Sequence, residues 1–199
     1  YTTSNSDDEL FERAKRTDPH GYITKPYELT ELHRAIDIAI YKSSLEQEKM
    51  FKAFAQKDPT QAWKYLKEAS LVDGQVVLNA HELAHLVGNE AYRKKGLRGV
   101  LICDDTLAYG CFHGVTEEFL KEKGPDAISE IEETCLEMFP PGQTMDYTGS
   151  IHGAGHGLFS KTGFDVEAAL TYCDALSVSY RNYCYDGVFM EHSFSAIPE

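Results

Sequence analysis

The chain has 199 residues, 42% of them hydrophobic, which is enough apolar material to bury a core. Its formal charge of −13 argues against a nucleic-acid groove, which needs clustered Lys and Arg to meet phosphates, and suits cation binding instead. No apolar run approaches the roughly 20 residues that a transmembrane helix needs, so no membrane span is expected.

The chain starts at Tyr1 without a methionine, shows no signal peptide, and is expected to be the interior of a longer protein. Residues 1–50 carry 10 acidic and 7 basic side chains, leaving −10 of the charge beyond them. All five cysteines (Cys103, Cys111, Cys135, Cys173, Cys184) and six of the eight histidines (His81, His85, His113, His152, His156, His192) lie beyond residue 80. That segregation predicts two modules, residues 1–48 and 73–199, joined by connecting helices over 49–72.

In the first module, Ser6 with Glu9 reads as a capping box for a helix to about Lys15, with Leu10, Phe11 and Ala14 as its apolar stripe. "GYIT" is a short buried strand that stops at Pro26. Leu29, Leu32, Ala35, Ile36, Ala39 and Ile40 then recur at helical spacing. Strand end, helix, strand, Lys-Pro, helix: over residues 1 to about 43 this order resembles the C-terminal part of a response-regulator receiver domain. The resemblance implies a truncated α/β end in which Thr3 senses a phosphoryl group, Lys25 contacts it, and the Lys25–Pro26 bond is cis. An aspartyl phosphate needs such a hydroxyl and cation near its oxygens. The resemblance further implies phosphorelay signalling, a cytoplasmic location and a histidine kinase partner reached through the complete receiver domain. The family's acceptor aspartate and magnesium-binding acids belong to earlier strands, so the fragment alone is expected to take no phosphoryl group and to leave a sheet edge unpaired.

The helix from Leu29 is expected to continue to Asp58-Pro59, where the residue before proline leaves helical geometry. Helices follow over 59–70 and 75–95, the second opened by the Asp73-Gly74 turn and closed by Gly96, then at about 111–122, 126–138, 147–160, 165–175 and 178–194. With almost no period-two alternation, the module is predicted to be all-α.

This module also repeats itself. "HELAH" (81–85) matches "HGAGH" (152–156), Cys103 matches Cys173, Cys111 matches Cys184, Gly114-Val115 match Gly187-Val188, and Glu118 matches Glu191, while His113 falls opposite Asp186. Two pseudo-equivalent helical units are therefore expected, each with the same ligand set. Histidines four apart share a helix face, so His81/His85 and His152/His156 can each present two imidazoles to one ion. His113, Asp186, Glu118, Glu191 and His192 are candidates to complete one or two transition-metal sites. Imidazole with carboxylate suits zinc, iron, manganese, copper or nickel, with zinc and iron leading. No haem or nucleotide motif accompanies them.

"HELAH" is also the zinc-peptidase pattern, in which Glu82 would activate a water. The extended form of that pattern fails at Ala91, and the second copy has Gly153 in place of the glutamate. The cysteines point two ways: Cys103/Cys111 and Cys173/Cys184 suit intra-unit disulfides of an exported module, whereas in the cytosol they would be thiols, metal ligands or a redox-sensitive dithiol. The leading reading is a phosphorelay fragment fused to a metal-binding or redox-sensing helical module, with homo-oligomer formation left open. The alternatives are a zinc-dependent hydrolase using Glu82 and a disulfide-stapled interaction module without metal.

Overall fold

The computed structural model describes residues 2–3, 8–70, 79–139 and 144–195. The chain divides into two compact units, Tyr1–Phe51 and Lys52–Glu199.

In the first unit β1 (Thr2–Thr3) pairs in parallel with β2 (Ile23–Thr24), Thr2 opposite Ile23 and Thr3 opposite Thr24. A parallel pair needs a crossover connection, and α1 (Asp8–Lys15) lies within it. Ala14 and Ile23 are buried, and Phe11 meets Tyr22 edge-on at 5.1 Å. The Lys25–Pro26 peptide is cis and the Lys25 side chain is exposed. The Ser6–Glu9 capping box and the Thr3 side chain lie outside the described residues. α2 (Leu29–Lys57) starts and stops where its sequence signals place it. Its apolar stripe is only partly covered, with Leu29, Ile36 and Ile40 exposed, because a two-stranded pair offers too little apolar surface to bury it.

The second unit is all-α among the described residues. α3 (Pro59–Ser70) opens on Asp58, whose carboxylate accepts the Gln61 amide at 3.1 Å. α4 (Ala80–Lys95) ends at Gly96, whose positive φ of 61° is the backbone state glycine accepts at low cost. The Asp73-Gly74 turn expected before α4 lies outside the described residues. α5 (Gly110–Lys123), α6 (Ile128–Met138), α7 (Thr144–Lys161), α8 (Val166–Cys173) and α9 (Arg181–Ser195) follow. α5 packs between α4 and α7, and α7 packs on α9. The core under them is built from Phe112, Val115, Phe119, Leu120, Ile131, Ile151, Leu158 and Val188.

Small residues set how closely these helices approach. An ideal Cβ on Gly88 of α4 would sit 2.1 Å from the Cys111 carbonyl oxygen of α5, and one on Gly114 of α5 would sit 2.1 Å from the His85 carbonyl oxygen. The α7–α9 contact repeats the arrangement: a Cβ on Gly155 would lie 2.2 Å from the Cys184 oxygen, and one on Gly187 2.1 Å from the His152 oxygen. Backbones therefore touch at both crossings, and the histidine-bearing turns are drawn into the interior.

One buried carboxylate ties α6 to the segment after α8. Glu132 accepts the Ser177 amide at 3.0 Å, the Ser177 hydroxyl and the Tyr147 hydroxyl at 3.3 Å. Glu132→Ala is expected to leave three donors without an acceptor and to cost about 2–3 kcal/mol in denaturant unfolding, well beyond an exposed Glu→Ala change.

The glycine crossings give a prediction whose sign is informative. Alanine is favoured over glycine inside a helix by roughly 1 kcal/mol. At Gly88 or Gly155 the added methyl meets backbone rather than a yielding side chain. Gly88→Ala and Gly155→Ala are each expected to destabilise by about 1–3 kcal/mol in thermal or urea unfolding, against the helix preference.

Candidate metal centre

Five histidines from three helices converge: His81 and His85 from α4, His113 from α5, His152 and His156 from α7. They form two groups of three, His81/His85/His113 and His113/His152/His156, whose ligand atoms lie within 4.8 Å of one another in each group. His113 belongs to both. It is fully buried, and its ring lies 5.5, 5.1, 5.3 and 4.4 Å from those of His81, His85, His152 and His156.

The outer edges of the rings are held by the protein. His81 Nδ1 donates to the Leu107 carbonyl at 2.8 Å, and His85 Nδ1 donates to the Glu117 carboxylate at 3.1 Å. In the second pair His152 bonds the Tyr183 backbone, and His156 Nδ1 donates to Glu191 at 2.7 Å. Each pair thus has one member anchored on a main-chain group and one on a glutamate. The inner edges face each other: Nε2 to Nε2 is 3.1 Å in both pairs, and His113 Nδ1 is 3.3 Å from His85 Nε2.

Those anchors decide the tautomers. A carbonyl and a carboxylate only accept, so Nδ1 of His81, His85 and His156 carries the hydrogen, and each neutral ring presents a bare lone pair at Nε2. In the α4 pair two lone pairs meet at 3.1 Å, an arrangement that calls for a cation shared between them. Nitrogens bound at about 2.0–2.1 Å around a tetrahedral ion stand about 3.3 Å apart, close to the spacings found here.

The two disulfides bracket the main-chain anchors. Cys103–Cys111 closes the segment holding Leu107, and Cys173–Cys184 ends next to Tyr183, with Cα–Cα separations of 5.5 and 5.8 Å. Leu107, Ala108 and Tyr109 are consecutive left-handed residues, φ 55°, 51° and 63°, each costing about 1–2 kcal/mol for an L residue. The cysteine pairs are bonded to each other, so they are neither metal ligands nor a free dithiol. Cys135 is buried, its thiol pushed up to about 11 by that burial.

Other expected ligands lie elsewhere. Glu118 pairs with Arg93 at 2.8 Å, Asp186 is exposed, and His192 is exposed with its ring against Phe159 at 5.7 Å; none joins either histidine group. The match of Glu118 to Glu191 in the repeat reflects chain position rather than the face that each side chain occupies. Glu191 reaches the site as the anchor of His156, not as an inner ligand. Its equivalent anchor is Glu117, four residues after His113 on the same helix face, and not Glu118, which the repeat alignment matched to Glu191. Glu82 is exposed.

A cleft of about 500 Å³ opens onto the centre, with His85, His156, Glu117 and Glu191 on its walls beside Asn89, Lys121 and Lys161. The Asn89 Oδ1 atom is buried without a hydrogen-bond partner. No known family model, characterised protein or solved structure matches the chain.

Burial, reinforced by the neighbouring imidazoles, holds His113 well below the ordinary histidine range of 6.5, and burial with His156 takes His152 down to about 4. Burial also lowers His85, but the hydrogen bond and charge of Glu117, aided by Glu191 and Glu82, outweigh it and raise that residue. For His113 and His152 the unfolded chain binds more protons than the folded one between 6.5 and about 4. Their contribution is present above 6.5 and lost as pH falls toward 4, with His85 opposing in part. Thermal melts of the metal-free chain are expected to show falling stability across that window, and His152→Gln to flatten the slope; a pH-independent midpoint would contradict the assignment.

Proposed function

We propose that the second unit is a transition-metal-binding module built on the histidines of α4, α5 and α7. The observation that carries this reading is the 3.1 Å approach of the Nε2 atoms of His81 and His85, whose other ring edges are held by acceptors. A transition metal is the cation whose ligand spacing that arrangement suits. Anchoring of the distal ring nitrogen by carbonyl or carboxylate is what metal-ligating histidines generally require. An all-imidazole inner set fits zinc or iron, and also copper and nickel.

Three protein nitrogens per group leave coordination positions open, and the cleft is lined by the part-exposed His85 and the buried His156. Structural zinc sites are closed by four protein ligands, so an open centre favours exchange of a small ligand, hence sensing or chemistry. The paired anchors and the paired glycine crossings support descent from a duplicated helical unit. For Tyr1–Phe51 the reading is the end of a receiver domain, supported by the parallel β1–β2 pair followed by α2. Together they make a phosphorelay protein whose second unit responds to metal or to a ligand on it.

A hydrolase using Glu82 gains less support, since that side chain is exposed and absent from the cleft wall. The full chain purified without added metal is expected to carry zinc, iron or a similar ion by elemental analysis. Chelation is expected to lower its melting temperature, because an ion bound only by the folded state adds stability. His81→Ala and His156→Ala should each reduce metal content, while Glu82→Gln should leave it unchanged and alter no peptide cleavage. A metal-free wild type indifferent to chelator and to added Zn(II) would refute the reading.

A further inference from the structure

Five histidines can supply three ligands to each of two ions only if one residue serves twice, and His113 is placed to do so. Its Nδ1 lies on the α4 side, 3.3 Å from His85 Nε2. The ring carbon bonded to its Nε2, Cδ2, is 2.9 Å from where a Cβ on Gly153 of α7 would stand, so that edge of the ring lies against α7. The ring stacks on His156 at 24° and lies 5.3 Å from His152.

Two observations besides the histidine count point to a ligand at that second nitrogen. His113 Nε2 is buried without any hydrogen-bond partner, in a residue with no solvent exposure. A buried polar atom left unpaired in this way is uncommon and asks for an explanation. In addition, residue 153 is glycine where the first copy of the repeat has Glu82, and only a glycine leaves room for the His113 ring against α7. The substitution that weakened the peptidase reading thus clears space for the shared imidazole.

We infer that His113 bridges a dinuclear centre, holding one ion with His81 and His85 through Nδ1 and a second with His152 and His156 through Nε2. This rests on the metal-binding reading above. A neutral imidazole has one lone pair and one N–H. As the second ion binds, that N–H proton leaves to solvent, and both ring nitrogens donate, with no change of oxidation state. The outer acceptors are already matched to this arrangement, since His81, His85 and His156 keep their Nδ1 hydrogens.

The test uses the full chain, stripped by chelator, reloaded separately with Zn(II) and Cu(II), and gel-filtered before elemental analysis. Two ions per chain are expected with either metal. Two Cu(II) ions joined by one imidazolate couple antiferromagnetically, so the copper-loaded chain should give an electron paramagnetic resonance signal far weaker than its copper content. His81→Ala and His152→Ala, checked for fold by circular dichroism, should each retain one ion and recover the full uncoupled signal. If neither variant folds, wild-type stoichiometry and signal intensity decide alone. One ion per wild-type chain, or two with full uncoupled intensity, overturns the bridge and leaves metal binding standing. No retained ion overturns both.

Discussion

Two imidazole nitrogens that both lack a proton repel one another at 3.1 Å, and the second unit is arranged so that this is what His81 and His85 present. Their hydrogens are committed to Leu107 and Glu117, which can only accept. In the metal-free chain a shared proton must relieve the contact, and His85, whose pKa is raised, is the ring best placed to carry it. A transition metal would relieve it without breaking either outer bond. The rest of the unit is explained by the need to hold several such rings at this spacing inside a hydrophobic core.

Close helix packing answers that need. Imidazoles of neighbouring helices reach one another here because the backbones touch at Gly88 and Gly114 on one side of the centre and at Gly155 and Gly187 on the other. Larger residues at those positions would push the helices apart and separate the ring nitrogens. α5 is the element on which this depends most, since it packs on both α4 and α7 and carries the one histidine common to both groups. Its buried face combines Phe112, Val115 and Phe119 with His113, so the centre is continuous with the apolar core rather than attached to its surface.

Much of this was legible in the chain. Helical spacing and stop signals located α2, α3 and the end of α4 closely, because Pro59 and Gly96 act on the backbone locally. The i,i+4 histidine pairs were readable for the same reason, since a helix turns by a fixed amount per residue. Expectations failed where side-chain direction depends on neighbouring helices. Glu118 and Glu191 occupy matching places in the repeat, yet one faces Arg93 and the other holds His156. The repeat is also uneven in space. The α4–α5 crossing uses the carbonyl of the second histidine of its pair, His85, and the α7–α9 crossing that of the first, His152. This shift of one helical turn is invisible to an alignment of motifs, which matches letters and not contact points.

The disulfides fit the same constraint. Each closes a short loop, over 8 and 11 residues, and each stands beside the main-chain group that anchors the first histidine of a pair. Tethering short loops removes conformational freedom chiefly from the unfolded chain. The segment between Cys103 and Cys111 needs that help, because Leu107, Ala108 and Tyr109 adopt backbone states that L residues avoid. The cost is offset where the Leu107 carbonyl meets His81, so local strain serves to orient a ring. Glu117 and Glu191 require no such device, since they sit on regular helices whose geometry already aims them at His85 and His156. The Cys103–Cys111 cross-link spans the one anchor that comes from irregular backbone, Leu107, whereas Tyr183, Glu117 and Glu191 all lie within helices.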